Sequence, residues 1–177
     1  VVTNKVVIDA AAMQSTSLKL IVVAATGTNN IDLVAAKQRG ITVCNVRDYA
    51  SAAVSQHVFS LLLALVSHLG DYTQAVKAGR WQESKVFCLL DYPIRELDGM
   101  TLGIIGYGNL GRRVEQIALG FGMQVAICAR PGGRVIPDGR IALDTLLATC
   151  DVISLHCPLS DATRNLIGRA QLDKMKS

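Results

Sequence analysis

Leu102-Gly103-Ile104-Ile105-Gly106-Tyr107-Gly108-Asn109-Leu110-Gly111 is the stretch from which the fold can be read. An apolar strand, Thr101 to Ile105, runs into a GxGxxG turn. A helix then follows from Asn109 to Phe121, with Leu110, Val114, Ile117, Ala118 and Phe121 on one face. A bare GxGxxG also occurs in ordinary glycine-rich turns. The strand before it and the amphipathic helix after it make this one a dinucleotide-binding turn. Gly106 permits the tight exit from the strand, and Gly108 lets backbone approach a pyrophosphate. Gly111 lets the helix pack closely on the strand. The helix N-terminus offers free N–H groups and a positive dipole end to phosphate.

The same alternation extends outward on both sides. Gln124 to Ala129 reads as a strand, Pro131 to Gly139 as a loop, Leu143 to Ala148 as a short helix and Asp151 to His156 as a further strand. Ala162 to Met175 reads as helical. Towards the N-terminus, Val6 to Ile8 is a strand or the end of a turn. Leu18 to Ala24 is a continuous apolar run, expected of a strand buried on both faces. Asp32 to Arg39 follows as a helix stopped by Gly40, and Ile41 to Val46 as a strand. Ser51 to Ala78 reads as one long helix buried along Val54, Val58, Leu61, Leu62 and Leu65. Gly79 to Asp98, holding Trp81 and Pro93, has no period and reads as a connecting loop. Strands alternating with helices imply parallel sheets and right-handed crossovers. The fold class is therefore α/β, a partial Rossmann-type doubly wound parallel sheet with further α/β structure before it. Both ends are abrupt for such a sheet, so an internal piece of a longer protein is expected.

Composition narrows the function classes. Half of the 177 residues are hydrophobic and 18% are charged, the profile of a soluble folded protein rather than a disordered chain. The net charge of +4 is small, and its arginines and lysines are scattered, which argues against a nucleic-acid partner. The most apolar stretch, Val54 to Val66, is too short to span a bilayer, so no membrane partner is expected. Cys44, Cys88, Cys128, Cys150 and Cys157 form no CxxC pair, and His57, His68 and His156 show no ligand grouping. No metal is expected. Irregularly spaced cysteines of odd number suit a reducing compartment, which makes the cytoplasm the expected location.

The second strand of a dinucleotide-binding unit ordinarily ends in a carboxylate that binds the adenosine ribose hydroxyls. Here the strand ends Cys128-Ala129-Arg130, and the nearest downstream carboxylate is Asp138. Without that acid a ribose 2′-phosphate meets no repulsion, and Arg130 with Arg134 adds attraction. The expected cofactor is NADP or NAD, with NADP favoured. The alternative is that both arginines are solvated loop residues.

Several further stretches, in order, resemble the D-isomer-specific 2-hydroxyacid dehydrogenases. They are Leu18 to Asp32 (LKLIVVAATGTNNID), Arg39 to Asn45 (RGITVCN), Val54 to Leu65 (VSQHVFSLLLAL), Gly79-Arg80-Trp81, Glu96-Leu97, and Asp151 to Leu159 (DVISLHCPL) with Thr163 and Met175-Lys176. Asn45 to His57 (NVRDYASAAVSQH) and Ala129-Arg130-Pro131-Gly132 are most similar to the glycerate dehydrogenases, or hydroxypyruvate reductases, within that family.

The resemblance implies two α/β domains. Residues 1–50 look like part of a flavodoxin-like substrate domain. Residues 51–177 look like the connecting helix and the first part of the NAD(P)-binding domain. It also implies site residues. Thr26, Gly27 and Thr28 would meet the substrate carboxylate through backbone N–H groups, although Gly27 also suits an ordinary strand-end turn. Asn109 and Leu110, beside Gly106, Gly108 and Gly111, would contact pyrophosphate. Ala129 and Arg130 would meet the adenosine ribose. His156, Cys157 and Pro158 would run beneath the adenosine with Thr163 nearby, His156 in a structural rather than a catalytic role.

The implied reaction reduces a small 2-keto acid, hydroxypyruvate or glyoxylate, to the D-2-hydroxy acid. The family's catalytic arginine, glutamate and histidine would lie beyond Ser177, so none has a number here and this stretch alone is expected to be inactive. A homodimer is implied too, and the apolar helix from Val54 to Val66 suits such an interface as well as an internal core. The alternatives are a phosphoglycerate, formate or lactate substrate, or a non-catalytic dinucleotide-sensing protein of the corepressor kind.

Overall fold

A computed structural model describes every residue except 15, 16, 134 and 177. Two parallel sheets form. The first has the order β1-β2-β3, from Val2–Thr3, Leu20–Val23 and Thr42–Asn45, with Leu20 facing Thr42 and Val23 facing Asn45. Helix α1, Leu33–Gln38, is capped by the Asp32 carboxylate, which accepts from the Ala35 N–H at 2.9 Å. Its Ala35 and Ala36 join Ile8, Met13, Ile21 and Val23 in a small core. Leu20, on the opposite face of β2, is exposed, so this strand is buried on one side rather than the expected two. Val6 to Ile8 forms no strand; Ile8 makes a single bridge to Ile31.

The expected long helix is two. Helix α2 spans Ser51–Val66 and α3 spans Leu69–Lys77, bent by 58° where His68 adopts a left-handed backbone conformation. That conformation ends the i→i+4 ladder, and the His68 imidazole is held 2.9 Å from the Asp71 carboxylate. The buried face of α2 matches expectation in part. It is Ser55, Phe59 and Leu62 with Val58 packed beside them, whereas Val54, Leu61 and Leu65 are exposed. An almost uniformly apolar helix has no period to say which side turns inward. No single helix among the described residues is long and apolar enough to cross a membrane; α2 and α3 reach that only as a bent pair.

A short helix α4, Arg80–Glu83, interrupts the expected loop. The second sheet follows, ordered β5-β4-β6, with β4 at Thr101–Ile105, β5 at Gln124–Ile127 and β6 at Val152–Leu155. Helix α5, Asn109–Gly120, connects β4 to β5, and α6, Leu143–Thr149, leads into β6. Leu102, Ile104, Val114 and Ala118 are fully buried between sheet and helices. Phe59 of α2 stacks on Phe121 at 5.5 Å between ring centres, which docks α2 against the end of α5. The expected helix from Ala162 to Met175 shrinks to α7, Arg169–Leu172. The Thr163 hydroxyl accepts from the Ser160 N–H and donates to the Pro158 carbonyl, and Asn165 takes a positive φ. Such side-chain bonds compete with a helical ladder.

Candidate functional site

The site grows from the exit of β4. Gly106 has φ of 98°, and a Cβ there would lie 2.4 Å from the Cys157 backbone nitrogen. The turn is thus pressed against the chain leaving β6, where the His156 N–H donates to the Ile105 carbonyl at 2.7 Å. A Cβ on Gly111 would stand 2.4 Å from the Gly106 carbonyl oxygen, so α5 sits flush on the turn. At Gly108 a Cβ would meet nothing within 4 Å. Gly106 and Gly111 therefore serve packing, whereas Gly108 opens onto free space beside the first N–H groups of α5. A helix has no internal acceptors for those N–H groups, so they are available to an anion.

That free space is a cleft of about 970 Å³ between the two sheets, within the range of cavities that hold cofactors and substrates. Gly108, Asn109 and Leu110 line one wall, with His156, Cys157 and Pro158 beside them. Thr26, Gly27 and Thr28, in the loop after β2, line the facing wall. The Thr26 hydroxyl donates to the Val46 carbonyl at 3.0 Å and its own carbonyl accepts from Asn45 Nδ2 at 2.8 Å. This pins the loop while the Gly27 and Thr28 N–H groups keep no backbone acceptor among the described residues.

The remaining expected site residues lie outside this lining. Ala129 is buried, and its N–H donates to the Ile141 carbonyl at 2.8 Å. Arg130 is exposed at the exit of β5. Thr163 pins the loop after β6, and Arg134 falls outside the described residues. Burial pushes the His156 imidazole below its ordinary pKa, and its Nε2 lies 2.8 Å from the Ser154 hydroxyl. Among the described residues no cluster of histidine, cysteine or carboxylate side chains is placed to hold a metal.

Two features had no signal in the sequence. Asp48, in a left-handed backbone conformation, accepts from Asn109 Nδ2 at 2.9 Å and so ties the loop after β3 to the glycine-rich turn. Tyr107, inside the turn, carries the guanidinium groups of Arg112 and Arg140 at 5.4 and 5.2 Å from its ring centre. The Asp48–Asn109 and Tyr107–Arg140 contacts pair residues far apart in the chain, beyond the reach of local spacing.

A cleft with N–H groups of a helix start on one wall, and a Cβ-free approach at Gly108, fits the diphosphate of a dinucleotide. Comparison with known proteins agrees. Residues 59–177 match the family described as D-isomer specific 2-hydroxyacid dehydrogenase, NAD binding domain. The chain is 47% identical over 175 residues to a glycerate dehydrogenase of Methylorubrum extorquens, covering 98% of this chain and 54% of that protein. It is 37% identical over 163 residues to a hydroxypyruvate reductase of Blautia hydrogenotrophica, covering 90% and 51%. The crystal structure of D-lactate dehydrogenase from Aquifex aeolicus, complexed with NAD and lactic acid, matches with a TM-score of 0.76 at 34% identity. That match covers 90% of this chain and 47% of the other. The chain spans about half the length of the curated relatives it matches. Turn, sheets and matches lead to one assignment: the chain belongs to the D-isomer specific 2-hydroxyacid dehydrogenases and contains their NAD-binding domain.

Proposed function

We propose that the full-length protein reduces hydroxypyruvate or glyoxylate to D-glycerate or glycolate with NAD(P)H, NADPH being favoured. The observation that carries this reading is the single cleft that joins the glycine-rich turn to the Thr26-Gly27-Thr28 loop. The names of the glycerate dehydrogenase and hydroxypyruvate reductase relatives support the substrate class.

In this reading residues 1–50 belong to the substrate-binding domain and residues 51–177 to the connecting helix and NAD(P)-binding domain. Gly108, Asn109 and Leu110 hold the diphosphate on a turn that Gly106 and Gly111 pack into place, with Ala129 and Arg130 at the ribose. His156, Cys157, Pro158 and Thr163 shape the floor beneath the adenosine. Gly27 and Thr28 N–H groups bind the carboxylate of the keto acid, and approach of the two walls excludes water. Bound NAD(P)H supplies the hydride that reduces the keto carbon. His57 and His68 lie on α2 and at the bend after it, and His156 is engaged within its own strand, so none of them is assigned the proton transfer. In the family the histidine takes that work, its pKa raised by the glutamate, while the arginine clamps the keto acid; none of the three is assigned a number here.

A homodimer and a cytoplasmic location complete the proposal. Leu61 and Leu65 on α2, Leu69 and Val76 on α3, and Phe87 and Leu90 after α4 are exposed apolar side chains that a second copy could cover. The free cysteines suit a reducing compartment. A panel of hydroxypyruvate, glyoxylate, pyruvate and phosphohydroxypyruvate offered to the full-length protein tests the substrate. The highest kcat/KM is expected on hydroxypyruvate or glyoxylate; a preference for pyruvate or phosphohydroxypyruvate would overturn that choice.

A further inference from the structure

We infer that Arg140, seated on Tyr107 of the glycine-rich turn, is the side chain that recognises a 2′-phosphate on the adenosine ribose. This inference rests on the dinucleotide reading above and names the residue that selects between the two forms of the cofactor.

Arg140 reaches the turn from the far side of the loop that follows β5. Its Nη1 donates to the Cys128 carbonyl at 3.3 Å, and its guanidinium stands 5.2 Å from the Tyr107 ring centre. These two contacts fix it beside the exit of β5, two residues before Arg130. In a sheet of this type that exit is where the adenosine ribose lies, once the diphosphate is seated on the helix start. The Tyr107 hydroxyl donates to the Glu115 carboxylate, which orients the ring that bears the guanidinium. Arg112 packs on the same ring at 5.4 Å.

Charge completes the case. Arg130, Arg140 and Arg112 gather around this edge, and among the described residues none of them forms an ion pair. Glu115, the carboxylate bonded to Tyr107, keeps its negative charge, so the edge carries three cations against one carboxylate and remains net positive. A neutral ribose hydroxyl leaves such a cationic edge unneutralised, whereas a phosphate dianion meets it with charge-assisted hydrogen bonds. An arginine held on an aromatic ring is also pre-organised, so less side-chain freedom is lost when it binds. Arg130, exposed and without such a support, adds attraction but not orientation.

The test is calorimetric titration of the full-length protein with 5′-AMP and with adenosine 2′,5′-bisphosphate. The bisphosphate is expected to bind the unaltered protein tighter by roughly tenfold or more. Arg140→Gln should remove most of that ratio while changing 5′-AMP affinity by less than about twofold, and Arg140→Lys should restore part of it. Arg130→Gln should reduce the ratio less than Arg140→Gln does. Retention of the full ratio in Arg140→Gln, or a larger loss in Arg130→Gln, would overturn the assignment. Equal affinity of the two ligands for the unaltered protein would overturn it as well. Failure of the unaltered protein to bind 5′-AMP would instead remove the dinucleotide reading on which it rests. The Arg140→Lys variant, which keeps the cation, guards against a loss caused by misfolding.

Discussion

Gly106 and Gly108 stand two residues apart, yet a methyl group at each meets opposite surroundings. At Gly106 it would strike the backbone of Cys157, in a conformation that side chains rarely adopt. Gly106→Ala is therefore expected to destabilise the fold by more than about 2 kcal/mol, read by chemical denaturation. At Gly108 it would meet empty cleft. Gly108→Ala should keep the unaltered melting temperature and lose dinucleotide affinity, because the methyl occupies the approach proposed for the diphosphate. A lowered melting temperature with intact affinity would contradict this. His156 gives a pH dependence. Its folded pKa lies below the ordinary value of 6.5, so the unfolded chain takes up a proton first as pH falls. Between 6.5 and the lowered value, stability must drop with falling pH, by at most about 1.4 kcal/mol per pH unit. Across that window the melting temperature should fall more steeply with falling pH for the unaltered protein than for His156→Gln.

At the scale of elements, legibility followed locality. The strand, turn and helix from Thr101 to Gly120 were readable because each of their determinants lies within a few residues of the next. Helix α1, stopped by Gly40, and the strand Thr42–Asn45 were readable for the same reason. Helix α2 was readable as a helix but not in its orientation. Apolar residues on nearly every side conceal the buried stripe, which is set by Phe59 meeting Phe121, 62 residues on. Phe59→Ala is expected to cost about 3–5 kcal/mol of stability, whereas Leu65→Ala, at a residue 74% exposed, should change it by no more than about 0.5 kcal/mol. Equal losses in denaturant titrations of the two variants would contradict the burial pattern. The segment from Ala162 to Met175 misled because helical propensity carries no information about the Thr163 hydroxyl bonds that replace a ladder there.

At the scale of the whole molecule, two sheets present loops to a shared cleft, and the Asp48–Asn109 hydrogen bond joins them across it. The glycine-rich turn was visible in the sequence since its geometry is local, and the Thr26-Gly27-Thr28 loop through the family resemblance. What no spacing records is which side chains the fold brings together: Asp48 reaches Asn109, and Arg140 reaches Tyr107, only after both crossovers are made. Asp48 also places a carboxylate beside the proposed diphosphate seat. Asp48→Asn, which tolerates the same backbone conformation, is expected to tighten dinucleotide binding several-fold by removing that charge. The exposed apolar side chains on α2 and α3 make a separate claim. Leu65→Lys should shift sedimentation of the full-length protein from dimer towards monomer without lowering the stability of the fold.

The central claim is that the cleft serves NADPH-dependent reduction of a small 2-keto acid. Its most direct test is hydroxypyruvate reduction by the full-length protein, with NADPH and NADH run side by side. The account predicts turnover with a higher kcat/KM for NADPH. Turnover with a clear preference for NADH would contradict the cofactor assignment. Absence of turnover with either nucleotide, despite measurable binding of both, would contradict the hydroxypyruvate assignment; if the other keto acids also fail, it would mark the protein as a dinucleotide sensor rather than a reductase.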